Sequence, residues 1–87
     1  MTPEELAGWM VQQLAGKTYL YQSAVANHAR RGNPELVYRN RNRNWALVKP
    51  VLEAFRKLTP GDEIVWSRSR QLWRHRKAFD KPGRMQK

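Results

Sequence analysis

The 87-residue sequence contains no cysteine, so neither a disulfide nor a cysteine–zinc cluster can hold the domain together. It has no apolar run near the roughly 20 residues that span a bilayer. Residues Thr2–Glu5 are acidic where a secretory leader would be basic. A soluble, cytoplasmic protein is the expectation. The five glycines are isolated, which excludes a glycine-rich phosphate loop. Acids are scarce: Glu4, Glu5, Glu35, Glu53, Asp62, Glu63 and Asp80. No two of them are spaced for general acid–base work, and no cluster suits the metal ions of a nuclease. His28 and His75 fall in different elements with no acidic neighbour close in sequence. The chain therefore reads as non-enzymatic, without metal or cofactor.

What is abundant is positive charge. Seventeen Lys and Arg face seven acids, a net charge of +10, and eleven of the bases are arginine. The excess is uneven. Residues 1–29 carry one base against two acids, whereas residues 30–87 carry sixteen against five. A basic surface on one part of a small domain attracts polyanions, so a nucleic-acid partner is expected, duplex DNA first. Four Trp, three Tyr and two Phe supply the bulk that a single small core needs.

Thr2-Pro3-Glu4-Glu5 has the pattern of a capping box with proline at the first helical position. Leu6, Trp9, Met10 and Leu14 follow at helical spacing, and Gly16 is placed to end the helix. Thr18–Tyr21 reads as a short strand. Ser23 is a candidate cap for a second helix over Ala24–Arg31, packed through Val25 and Ala29 and stopped by Gly32-Asn33-Pro34. A third helix runs from Lys49-Pro50 to Leu58, with Val51, Leu52, Phe55 and Leu58 as its buried stripe. Residues 63–76, EIVWSRSRQLWRHR, place apolar runs on both sides of a polar centre and read as a β-hairpin, with a helix as the alternative. The fold class is α+β: a small winged helix-turn-helix-like domain of three helices, short strands and a C-terminal β-hairpin wing. It covers residues 1–76, and residues 77–87 read as a basic, flexible tail.

The connection between the second and third helices carries YRNRNRNW, residues 38–45. Strand entry at Leu36–Tyr38 and exit at Trp45–Leu47 make it hairpin-like, with Asn42-Arg43 as the expected turn centre. Arg39, Arg41 and Arg43 suit phosphates or guanine. Asn42 suits either adenine or the turn itself. Arg68, Arg70 and Arg74 on the wing suit backbone or minor groove, or serve as a cationic guard on a sheet edge. Arg56 and Lys57 stand on the third helix, the usual recognition position. Arg30 and Arg31 compensate the second helix's dipole or extend the basic face. Trp66 and Trp73 are core residues, or platforms for a single strand.

TPEELAGWM, YLYQSAV, VYRNRN, VLEAFRKLTP and IVWSRSRQLWRHR, in this order, resemble a family of short bacterial and mobile-element proteins known as a domain of unknown function. The resemblance spans most of residues 2–76 and implies no activity and no site residue. Two other readings stand beside DNA binding: a protein-interaction module of a phage or mobile element, and an RNA or single-strand binder.

Overall fold

The computed structural model describes residues 1–61 and 63–86; Asp62 and Lys87 lie outside them. Its elements run α1 (Pro3–Gly16), β1 (Tyr19–Tyr21), α2 (Gln22–Gly32), a 3-10 turn (Pro34–Leu36), β2 (Val37–Arg39) and β3 (Trp45–Leu47). Then follow α3 (Lys49–Leu58), β4 (Ile64–Ser67), β5 (Leu72–His75) and β6 (Met85–Gln86). This is a small α+β domain. One sheet has the order β1-β5-β4-β6 and a separate two-stranded ribbon is β2-β3. The strand pairing across 64–75 excludes the helical alternative for that segment.

The start of α1 follows from local chemistry. Thr2 Oγ1 accepts from the Glu5 amide at 3.1 Å, and Glu5 Oε1 accepts from the Thr2 amide at 2.8 Å. Those reciprocal bonds satisfy two of the orphan donors of the first turn. The helix end differs from expectation: Gly16 stays helical and Lys17 turns the chain out in extended conformation. The α2 start also differs. It begins at Gln22 with no side-chain cap, because the Gln22 amide donates to the Gln71 carbonyl at 3.0 Å. A neighbouring turn of the sheet does the work expected of Ser23.

Strand alternation divides the main sheet into two faces. Leu20, Ile64, Trp66, Trp73 and His75 share the inner face, against α1 and α3. There Trp73 meets Phe55 edge-on at 5.7 Å and Trp66 at 4.6 Å, and the His75 Nε2–H donates to the Leu14 carbonyl at 2.8 Å. Leu6, Met10, Val25, Val51 and Phe55 complete the core. The stripe expected on α3 is narrower than its periodicity suggested. Val51 and Phe55 are buried, but Leu52 is 40% exposed and Leu58 51%. The helix packs mainly on α1, which covers one edge of it and leaves those leucines open.

Tyr19, Val65, Ser67, Leu72 and Arg74 occupy the outer face. Residues 77–86, expected as a flexible tail, lie over that face. Arg74 and Asp80 form a two-bond ion pair with both contacts at 2.7 Å, the Asp80 side chain being only 2% exposed. Beyond it, β6 adds to the free edge of β4 in parallel. Composition suggested disorder; non-local pairing supplies the order.

Candidate nucleic-acid interface

The Arg–Asn run forms the tip of the β2-β3 ribbon. Asn40 Oδ1 accepts from the amides of Asn42, at 2.9 Å, and Asn44, at 3.0 Å. The Arg43 amide donates to the Asn40 carbonyl at 3.0 Å, and Arg43 takes a left-handed conformation with φ of 62°. This is a type I turn followed by a left-handed residue, a common closure for three-residue hairpin loops. Its centre is Arg41-Asn42, one residue before the expected Asn42-Arg43, because the Asn40 side chain sets the register. Of the three asparagines, Asn40 serves the turn. The Asn42 side chain is exposed and makes no hydrogen bond among the described residues.

The arginines separate by role. Arg41 and Arg43 stand exposed on the tip. Arg39 is braced: its Nη1 donates to the Arg43 carbonyl at 3.2 Å and its guanidinium lies 4.9 Å from the centre of the Trp45 ring. Arg30, from the last turn of α2, lies over the same ring at 4.5 Å. One indole therefore fixes two cations and ties the ribbon to α2. With Arg31, five arginines gather at this end of α2.

A second group stands at the other end. The β4-β5 turn is closed by the Gln71 amide donating to the Ser67 carbonyl at 2.8 Å, with Gln71 left-handed at φ of 56°. Arg68 and Arg70 are exposed on this turn. Gln71 receives the Gln22 amide, and the two glutamine side chains meet at 3.3 Å, so the turn is fastened to the start of α2.

The remaining candidates lie elsewhere. Arg74 does not join the wing surface: Asp80 holds its guanidinium against the outer face, and that same bond raises the Arg74 pKa while driving the Asp80 carboxyl far below the usual range. Arg56 stands at the edge of a cleft of about 800 Å³ lined by Leu52, Phe55, Trp66, Trp73 and Met85. Lys57 is on the other side of α3, beside Pro50 and Leu58. The exposed Lys49–Glu53 pair, at 3.9 Å, sits between them. The structure thus gathers Arg39, Arg41, Arg43, Arg68 and Arg70 about α2 and leaves Arg56, Lys57 and Arg74 apart. Sequence reasoning missed Trp45 as an organiser and Asn27 as an exposed residue between the two clusters. The i, i+4 spacing of Ser23, Asn27 and Arg31 was the available signal.

Among the described residues, no three His, Asp or Glu side chains converge to hold a metal ion, and no helix is long and apolar enough to cross a membrane. A family model described as a family of unknown function, DUF6953, matches residues 2–75. The chain belongs to that family. Neither a curated protein nor a solved structure matches it. The DUF6953 match takes in both arginine clusters and ends with β5, so the segment covering the outer face lies beyond it.

Proposed function

We propose that this DUF6953 domain binds duplex DNA through its arginine-bearing turns and catalyses no reaction on it. One observation carries the reading: two exposed arginine clusters, at the two ends of α2, have no acidic partner among the described residues. Like charges held this close repel one another until an anion neutralises them. The Trp45 brace keeps Arg30 and Arg39 together despite that repulsion, which is the arrangement a phosphate backbone rewards.

The topology is consistent with a winged-helix-like reading. Helix, strand, two helices and a hairpin follow in order, and β1 pairs with β5 beside β4. The β2-β3 ribbon between the last two helices and the added β6 are departures from the simple layout. For a single strand, the inner-face position of Trp66 and Trp73 takes two stacking candidates away, while Tyr38 on β2, 48% exposed, keeps an open ring beside Arg39. A protein-interaction module is the second reading, supported by exposed Leu52 and Met85 beside the α3 cleft. Mobility shifts with duplex DNA, single-stranded DNA and RNA in parallel, at two salt concentrations, test the proposal. Duplex retarded at the lower salt is the expected result. No retardation of any duplex would overturn it.

A further inference from the structure

We infer that α2, rather than α3, is the helix that enters the duplex groove, with Asn27 and Arg31 reading base edges between two phosphate-gripping turns. This rests on the duplex-binding reading above and assigns its specificity.

The first ground is the exposed face of α2. At 3.6 residues per turn, Arg30, Ser23, Asn27, Arg31 and Ala24 fall within an arc of about 120°. All five are exposed, whereas Val25, Ala26 and Ala29 opposite are fully buried. The face holds no acid and no large apolar side chain. Asn27 lies near its centre with Arg31 beside it, the two side-chain types that pair bidentately with adenine and guanine. Asn27, Arg30 and Arg31 also rim a shallow polar hollow with Pro34.

The second ground is the placement of the turns. Gln22 fastens the Arg68–Arg70 turn, and Arg30 fastens the Arg39–Arg43 ribbon through Trp45. Gln22 and Arg30 are eight residues apart, about 80° round the helix and about 12 Å along its axis. The two turns are therefore attached at the two ends of α2, where each can meet backbone phosphates beyond the bases that the helix face between them reads.

The face of α3 has neither property. It carries the Glu53 carboxylate at its centre, paired with Lys49, and the exposed Leu52 and Leu58 at its margins. Glu53 offsets Lys49 and leaves Arg56 and Lys57 on either side as cations suited to phosphate, with no Asn or Gln among them to pair with adenine.

The test selects preferred duplexes from a randomised pool with the wild-type chain, then measures variants on the winner and on single-base changes of it. Asn27→Ala and Arg31→Ala should each relax discrimination at one base pair by about ten-fold. Arg56→Ala and Lys57→Ala should leave the preference unchanged. Asn27→Ser, smaller and polar, serves if Asn27→Ala does not fold, and should relax the same base pair. Preference altered by the α3 variants and not by the α2 variants would overturn the inference while leaving duplex binding intact. Tight binding with no preference at all would do the same. Failure of the wild-type chain to bind any duplex would overturn both.

Discussion

Replacing Trp45 by alanine removes the ring over which Arg30 and Arg39 are held. Each cation–π contact at an exposed site is worth about 0.5–1 kcal/mol, so the two together contribute about 1–2 kcal/mol. The indole is half-buried against the core, so the packing loss should be about half of the ~3–5 kcal/mol typical of a fully buried Trp→Ala change. The total is about 2.5–4.5 kcal/mol. A domain of this size has roughly 4–13 kcal/mol of stability, so the variant should fold but weakly. Urea unfolding monitored by circular dichroism gives the loss directly. A double-mutant cycle with Arg30→Ala isolates the contact, with an expected coupling of about 0.5–1 kcal/mol. In the same variant, amide exchange at Arg43 and Ala46 should accelerate more than at Met10, because the ribbon loses its anchor while α1 keeps its own. A coupling indistinguishable from zero, with ribbon and α1 amides accelerating alike, would refute the idea that one indole organises this cluster.

Arg43→Gly should stabilise the domain by about 0.5–1 kcal/mol in thermal unfolding, since Arg43 is left-handed and glycine adopts that conformation without a Cβ clash. It should weaken duplex binding at the same time. Phe55→Ala should cost about 3–5 kcal/mol in urea, because Phe55 is buried between α1 and Trp73. Asp80 has a folded pKa depressed first by its bond from Arg74 and next by the Lys77 amide. A depressed folded pKa adds stability above the unfolded value near ~4 and loses it as pH falls toward the folded value. Asp80→Asn should therefore be less stable than wild type at pH 7 and show a flatter decline below about pH 4, measured by urea midpoints across pH.

The parts of the fold legible in the sequence are those set by neighbours a few residues away. The α1 start was readable because Thr2 and Glu5 are three residues apart and bond only to each other. The β4-β5 hairpin was readable from the two apolar runs about Ser67-Arg68-Ser69. Where a distant partner decides, sequence pattern fails. Gln22 starts α2 because Gln71, far along the chain, accepts its amide. Leu52 and Leu58 keep helical periodicity, yet the described residues cover only about half of each. Arg74 reads as one more wing cation until Asp80 is folded back onto it across a turn. The site divides in the same way. Charge alone located the arginines of the two turns. Their attachment to opposite ends of α2 depends on Trp45 and Gln71, whose contacts cross between elements.

The central claim is that the two arginine clusters meet a phosphate backbone, and the salt dependence of duplex affinity tests it most directly. Arg30, Arg39, Arg41, Arg43, Arg68 and Arg70 supply the contacts, with Arg31 on a base edge. If all six neutralise phosphates, log K should fall against log salt with a slope of about −5, a loss of roughly 10³-fold between 50 and 200 mM. Arg41→Ala with Arg43→Ala should reduce that slope by about 2 without altering the unfolding midpoint appreciably. A flat salt response, or a slope that the double variant leaves unchanged, would contradict the account.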